Sequence, residues 1–170
     1  SMMQGIDESV DGVMFIGYHA RNGSPSAILD HTWSSRTVAN IWLNDILTGE
    51  YGLNAAVAGH FGVPVIMVSG DQTACAQVTE LLGDVETAVV KQAAGRFAAE
   101  CLAPDVTQEM ICLSAERAVQ RLVEGEVPDP FVLDTPITVT VEFFASDMAD
   151  RATRIPFTKR EGTRVSLTMK

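Results

Sequence analysis

The sequence predicts an α/β fold, and three observations support that prediction. Residues 12–18 and 63–69 each contain a continuous apolar run of strand length, and such runs are typical of strands buried on both faces of a sheet. Segments with the helical spacing of apolar residues follow at 72–82 and 104–124. Residues 138–144 alternate between apolar and polar side chains, which indicates a half-buried strand. Strands and helices that follow one another in this way are typical of α/β proteins.

The first strand is followed by a long connection at residues 19–35. It contains an Asn-Gly-Ser-Pro turn sequence, and residues 26–29 could form one turn of helix. Ordered loops of this length are often functional. Residues 37–43 predict a second strand, and residues 44–47 predict a turn with a short return strand.

Two helices are marked by their first residues. Residues 48–61 predict a helix whose start has the shape of a capping box, with Glu50 as its carboxylate and either Thr48 or Gly49 as the cap. Asp71 comes between an apolar strand and residues 72–82, so it predicts an N-cap for that helix. The strand, turn and helix at 63–82 therefore form a βα step.

The second half of the chain is richer in β structure. Residues 94–102 fit either a strand or a helix, and Pro104 begins a helix that extends to about Glu124. The other predicted elements are strands at 85–91 and 163–169, a Pro-rich connection at 126–136 and a short helix at 146–153. The change in composition predicts two parts: a site-bearing α/β part at 1–85 and a mixed α/β part at 86–170.

Composition excludes several classes of protein. A chain of 170 residues with 46% hydrophobic and 20% charged residues is globular and forms one domain or two small ones. Its net charge of −10 argues against a nucleic-acid partner and against anionic membranes. Three cysteines, Cys75, Cys101 and Cys112, without a Cys-x-x-Cys pair indicate buried free thiols in a reducing compartment. With no apolar run of transmembrane length, we expect a cytoplasmic protein.

Two histidines and a glutamate are the candidate site residues. His19 directly follows the first strand, and open α/β sheets bind ligands at the carboxyl ends of their strands. Imidazole and carboxylate groups are ordinary ligands of catalytic zinc, and His31 is suited to acid–base or nucleophilic work. Other roles fit the residues alone: His19 as a core histidine, Glu50 as a favourable charge at a helix N-terminus, and His31 as a solvated loop residue.

Further polar residues surround these three in the sequence. Asp30 could orient the imidazole of His31, and Asn54 lies one turn beyond Glu50 on the same helix face. Arg21 fits either a salt bridge near the site or a solvated position. We expect His60, in the last turn of the same helix, to have a structural role as a C-terminal cation.

Several strings in the chain, in this order and spacing, carry a family resemblance. They are MQGID at residues 3–7, GYHAR at 17–21, VPVIMVSGD at 63–71, VKQ at 90–92, GR at 95–96 and CLAP at 101–104. The chain resembles the bacterial D-aminopeptidases of dipeptide-permease operons, which are zinc metallopeptidases. The resemblance extends over nearly the whole chain.

The resemblance implies an activity and a role for each candidate residue. It implies an aminopeptidase that releases N-terminal residues, with a preference for D-residues, from short peptides. His19 and Glu50 would bind zinc, with two ions in an intact relative, and His31 would be the catalytic base or nucleophile. The family forms rings, so a homo-oligomer is expected.

The chain departs from the family pattern at two motifs. Neither the family's Asp-x-Glu-Gly motif nor its Asn-Asp-Ser-His-type motif occurs, since Asn44-Asp45 is followed by Ile46. Both motifs would supply metal ligands. We therefore expect a fragment that matches the central and C-terminal part of such an enzyme, binds zinc weakly or not at all, and is inactive alone. The alternative is a non-catalytic binding or oligomer-assembly module that retains the family fold.

Overall fold

The structure is a computed structural model that describes residues 2–169. Nine strands and four helices occur in this part of the chain. In chain order they are β1 (Val13–Tyr18), β2 (Val38–Leu43), β3 (Ile46–Thr48), α1 (Glu50–His60), β4 (Val65–Asp71), α2 (Gln72–Leu82), β5 (Glu86–Gly95), β6 (Ala98–Cys101), α3 (Pro104–Glu124), β7 (Ile137–Phe143), α4 (Ser146–Ala152), β8 (Lys159–Glu161) and β9 (Arg164–Met169).

The first sheet is mainly parallel. Its strand order is β1-β4-β5-β6, with β4 parallel to both neighbours and β6 antiparallel to β5. All seven residues of β4 are buried. This position between two strands and two helical layers explains the continuous apolar run that predicted the strand.

Helices cover both faces of the first sheet. On one face, α1 and α2 pack through Tyr51 and Val78 against Phe15 of β1 and Val68 of β4. On the other face, α3 packs through buried Ala118 and its neighbours against β4 and β5. The result is a three-layer α/β architecture, which confirms the predicted fold class.

The second sheet is antiparallel and joins distant parts of the chain. Its order is β3-β2-β7-β9-β8, and Ile41 of β2 lies opposite Val141 of β7. β2 and β3 precede residue 85, whereas β7, β8 and β9 follow it. The first sheet also crosses this position, because β4 pairs with β5. We retain the two-part division of the chain as a proposal about its folding units.

Helix boundaries follow the predicted signals in two cases and differ in one. The predicted bounds of α2 and α3 are confirmed, and Asp71 accepts a hydrogen bond from the Ala74 N–H as the N-cap of α2. Of the two caps considered for α1, Gly49 is the N-cap, but the predicted capping box is wrong because no side chain caps the helix. The Thr48 hydroxyl is instead buried against Gly52, where an added Cβ would lie 1.9 Å from its Oγ1.

Two further segments differ from the sequence interpretation or decide between its alternatives. Residues 26–29 form no helix, because Ser26 and Leu29 have φ values of 50° and 52°, outside the right-handed helical region. Residues 94–102 are extended and form the hairpin between β5 and β6. The short strand β8 was not expected. Within residues 2–169, no helix combines the length and the apolar character that crossing a membrane would need.

Candidate active site

The carboxyl ends of two parallel strands form the base of the candidate site. His19 directly follows β1, and Asp71 is the last residue of the neighbouring strand β4. Gly70 allows the two strands to approach closely, since an added Cβ would lie 2.6 Å from the carbonyl oxygen of Tyr18. The predicted location of His19, at the edge where α/β sheets bind ligands, is therefore confirmed.

Asp71 connects the loop after β1 to the sheet. Its carboxylate is fully buried; Oδ1 accepts from the Ala74 N–H at 2.7 Å and Oδ2 accepts from the Ile28 N–H at 2.7 Å. The Ile28 carbonyl oxygen in turn lies 3.0 Å from Nδ1 of His19. The residue that the sequence identified only as a helix cap thus also holds the loop segment that positions His19.

The rings of His19 and His31 lie side by side with defined tautomers. Their centroids are 5.1 Å apart, at an interplanar angle of 49°. Nδ1 of His31 lies 2.7 Å from the carbonyl oxygen of Leu29, as Nδ1 of His19 does from that of Ile28. Because a carbonyl oxygen can only accept, each Nδ1 carries the proton. Each neutral ring therefore has its lone pair on Nε2, free to bind a metal or accept a proton.

Glu50 joins the histidines from the first turn of α1. Its Oε1 accepts a hydrogen bond from the Trp33 N–H at 3.1 Å, and its Oε2 lies 3.7 Å from Nε2 of His31. Its side chain is 20% exposed, and the helix N-terminus favours a negative charge at this place. The structure therefore brings together the three predicted site residues, His19, His31 and Glu50.

The backbone around His31 is strained. Leu29 and Trp33, two residues before and two residues after it, have φ values of 52° and 57°. The left-handed region costs a residue with a side chain about 1–2 kcal/mol, and bulky residues occupy it rarely. Such conformations persist only where surrounding contacts hold them, and they are concentrated at functional sites. Here the Trp33 N–H bond to Glu50 and the Leu29 carbonyl contact to His31 supply two of those contacts.

Asp30 contacts the loop and Arg96 instead of the imidazole of His31. Its Oδ2 accepts from the Gly23 N–H at 2.6 Å, and its Oδ1 accepts from Nε of Arg96 at 2.8 Å. Arg96 also donates to the Asp30 carbonyl oxygen at 2.9 Å. Asp30 is buried, so this ion pair ties the loop to the β5–β6 hairpin. Sequence reasoning missed Arg96 as a site residue, although the Gly-Arg string that contains it was part of the family resemblance.

Asn54 and Arg21 also make contacts that differ from those considered in the sequence. Asn54 donates from Nδ2 to the Tyr18 hydroxyl at 2.7 Å. Burial raises the pKa of the Tyr18 phenol above 10.0, against the effect of the Asn54 hydrogen bond, and the charge of Glu50 raises it further. The Arg21 N–H donates to Gln77, and its guanidinium forms no ion pair within residues 2–169. Neither side chain contacts the Glu50 carboxylate.

A cavity of about 650 Å³ opens beside the two imidazoles. Hydroxyl, guanidinium and aromatic side chains share its lining with the histidines; among them are Trp33, Ser34, Ser35, Arg36, Arg96 and Phe97. His60 lies elsewhere, in the last turn of α1, where its ring meets Phe61 edge-on at 5.1 Å. The cavity is therefore large enough for a small substrate and has both proton-accepting and cationic groups on its walls.

Zinc fits the chemistry of the donor atoms but not their number. His19 offers Nε2 while a carbonyl oxygen holds its Nδ1, the usual arrangement for a ligating histidine, and Glu50 offers a carboxylate oxygen. Catalytic zinc usually has three protein ligands. Across residues 2–169, no group of three or more His, Cys, Asp or Glu side chains could hold a metal ion. His19 and Glu50 therefore fall at least one donor short of such a site.

Comparisons with known proteins agree with this geometry. A family model described as Peptidase_M55, D-aminopeptidase, matches residues 1–170. A D-aminopeptidase of Bacillus subtilis (strain 168) is 36% identical over 159 residues, which cover 94% of this chain and 56% of that protein. The structure of the Zn-dependent D-aminopeptidase DppA from Bacillus subtilis, described as a self-compartmentalizing protease, matches with a TM-score of 0.94 at 33% identity. That match covers 100% of this chain and 61% of the other. The chain thus spans just over half the length of these relatives.

Proposed function

The chain belongs to the D-aminopeptidase family Peptidase_M55, and we propose that it contributes catalytic residues to a zinc-dependent aminopeptidase. The proposed reaction releases the N-terminal residue, with a preference for the D-configuration, from short peptides. One observation carries this proposal: His19 and His31 from the loop after β1 and Glu50 from the first turn of α1 come together at one site, and both histidines present a free Nε2 there.

The three residues have separate proposed roles. His19 and Glu50 would hold zinc, which when bound supplies a Lewis acid that polarises the scissile carbonyl. His31 would accept a proton at Nε2, because its Nδ1 proton is engaged by the Leu29 carbonyl oxygen. Glu50 would also keep the loop closed through its bond to the Trp33 N–H.

We propose that the 170 residues alone bind zinc weakly and are inactive. The support is the count of donors: His19 and Glu50 provide two, and the longer relatives have sequence that this chain does not match. The remaining ligands of a two-zinc centre would come from such a region. Metal would then connect the two regions of the protein.

Ring-like self-assembly and a cytoplasmic location are further parts of the proposal. DppA is described as self-compartmentalizing, and α3 of this chain exposes the apolar side chains Leu113, Val119 and Val123, the last of them 83% exposed. These side chains could meet another subunit. All three cysteines are free, which fits a reducing compartment, but only Cys75 is buried; the expectation of buried thiols is wrong for Cys101 and Cys112, which are exposed.

An alternative function is a binding or assembly module that does not catalyse hydrolysis. Two observations favour it: the donor count within residues 2–169 and the exposed apolar face of α3. A module of this kind would assemble through α3 and bind peptides without turnover.

Zinc content and peptide hydrolysis together separate these functions. Zinc would be measured after dialysis in the 170-residue chain and in the full-length protein, and both would be assayed with alanyl dipeptides of D- and L-configuration. We expect zinc retention and D-selective hydrolysis only in the full-length protein, with loss in a chelator and recovery on adding zinc. A zinc-loaded full-length protein that binds dipeptides without cleaving them would support the binding module. Stoichiometric zinc in the 170-residue chain would contradict the proposed division of ligands.

A further inference from the structure

A second cavity, of about 370 Å³, lies against one face of the antiparallel sheet. Its walls are almost wholly apolar and come from β7, β9, α4 and the segment after it; Val141, Phe143, Ala152, Ile155 and Leu167 are among them. No charged side chain of residues 2–169 lines it. A cavity with this lining favours an uncharged apolar occupant.

Trp33 forms a wall shared by this apolar cavity and the cavity beside the histidines. It is two residues from His31, and its indole is half-exposed, with 51% of the residue accessible. Another apolar cavity, between α1 and the second sheet, includes Leu53, Val57 and Val132 and shares no lining residue with the histidine cavity. The cavity against Trp33 is thus the apolar space that adjoins the candidate site.

The backbone holds Trp33 in this place at a cost. Its φ of 57° is unusual for a bulky residue. The bond from its N–H to Glu50 fixes the conformation, as does the 2.7 Å bond from the next N–H, that of Ser34, to the Thr32 carbonyl oxygen. The same contact that orients the proposed zinc ligand therefore also sets the position of the indole between the two cavities.

We infer that the apolar cavity bordered by Trp33 binds an uncharged apolar side chain of the peptide, next to the scissile bond. This inference rests on the proposed function, since it takes the histidine cavity as the place of cleavage. A peptide whose scissile carbonyl faces His31 lies in the cavity that shares Trp33 with the apolar one. The cavity then selects leucine- or phenylalanine-sized side chains over glycine and rejects charged ones, because nothing in its lining pairs with a charge.

Substrate preference measures this selection directly. In the zinc-loaded full-length protein, kcat/KM would be compared for leucylglycine, glycylleucine and glycylglycine, using the D-form of each leucine. We expect kcat/KM for one of the two leucyl peptides to exceed that for glycylglycine by at least about tenfold. Tenfold is about the lower end of the discrimination that one methylene gives in an apolar pocket. The corresponding peptides with D-aspartate in place of D-leucine should have the lowest kcat/KM.

Variants of the wall and of the cavity test the assignment. Trp33→Gly removes the indole and suits the positive φ, whereas Trp33→Ala removes it without relieving the backbone. Ala152→Leu fills the apolar cavity from α4, and Ala152 does not line the cavity beside the histidines. All three should reduce the leucine-to-glycine ratio at least about fivefold, whatever they do to the glycylglycine rate. Trp42→Ala is the matched control, since Trp42 stacks on Arg164 and lines neither cavity.

A binding measurement separates this inference from the proposed reaction. In a Trp42→Phe background, Trp33 is the only tryptophan of these 170 residues, so its emission reports on D-leucylglycine and glycylglycine. Tighter binding of the leucyl peptide by the 170-residue chain, with no hydrolysis by the zinc-loaded full-length protein, would support the cavity and contradict the peptidase. Hydrolysis with a ratio that Trp33→Gly, Trp33→Ala and Ala152→Leu leave unchanged would overturn the cavity alone. No difference in either measurement would overturn it as well.

Discussion

Replacing Glu50 with glutamine separates its proposed metal-binding role from its role as a helix charge. Glutamine retains a carbonyl oxygen that can accept the Trp33 N–H, so the hydrogen bond now made by Oε1 persists. What is lost is the negative charge at the first residue of α1, beside His31.

The structural cost of Glu50→Gln should be small. A charge in the first turn of a helix contributes about 0.3–1 kcal/mol, and a charged acceptor adds about 1 kcal/mol over a neutral one. The side chain is 20% exposed, so both contributions apply with little screening. Their sum is about 1.5 kcal/mol, which lowers the Tm of a chain of this size by about 3–6 °C.

The effect of Glu50→Gln on zinc affinity should be larger than its effect on stability. Loss of a group that merely supports a ligand weakens metal affinity by about 10–100-fold, and loss of an anionic ligand should do at least as much. We would measure zinc affinity by competition with a chromogenic chelator in the full-length protein, dipeptide turnover in the same protein, and Tm in the 170-residue chain. Asp105→Asn is the matched control, because it removes an acidic charge from the first turn of α3, away from the site.

Two outcomes would leave Glu50 with the role of a helix charge only. If Glu50→Gln binds zinc with the affinity of the unmodified protein and cleaves dipeptides at the same rate, Glu50 is a helix charge only. A change in Tm similar to that of Asp105→Asn, with no loss of zinc, would lead to the same conclusion. The proposed metal site would then have lost one of its two donors in this chain.

Three further outcomes are expected. His31→Ala should abolish turnover by the full-length protein while zinc content stays constant; parallel loss of zinc would make His31 a ligand instead. Asp71→Asn should destabilise the 170-residue chain by about 2 kcal/mol in urea unfolding, because an amide nitrogen cannot accept and one of the two N–H groups now bonded to Oδ1 and Oδ2 loses its acceptor; an unchanged midpoint would contradict the anchoring role. Burial raises the pKa of the Cys75 thiol from 9.0 to about 11. A thiol reagent at pH 8 should therefore label Cys101 and Cys112 quickly and Cys75 only on unfolding. Since unfolded Cys75 ionises near pH 9, stability should fall as the pH rises from 9 towards 11; a flat profile would contradict the shift.

Local signals predicted the elements whose boundaries depend on nearby residues. Asp71 as a cap and Pro104 at a helix start define α2 and α3 within their own sequence. The same kind of reasoning failed at Thr48, where a local capping pattern competes with packing against Gly52. A hydroxyl can be buried there because α1 presents no side chain at that position.

The site itself was only partly predictable, because its loop is shaped by distant contacts. The position of His19 followed from the strand before it. The conformation around His31 depends on two distant contacts. The Ile28 N–H donates to Asp71, 43 positions away, and Arg96 donates to Asp30 from 66 positions away. Residues 19–35 contain neither partner, so their local pattern suggested a turn of helix where the chain makes non-helical turns with Ser26 and Leu29 at positive φ.

The antiparallel sheet has a consequence for the order of events during synthesis. β2 and β3 leave the ribosome about 100 residues before β7, which pairs with β2 on the side away from β3; the bonded residues Asn40 and Glu142, for example, are 102 positions apart. At usual elongation rates the β2–β3 hairpin waits about 5–20 s with one edge open. Glu50 follows β3 directly, so its final position depends on a partner strand that is made late. The candidate site should therefore be completed near the end of folding, with chaperones most useful to the nascent chain during that interval.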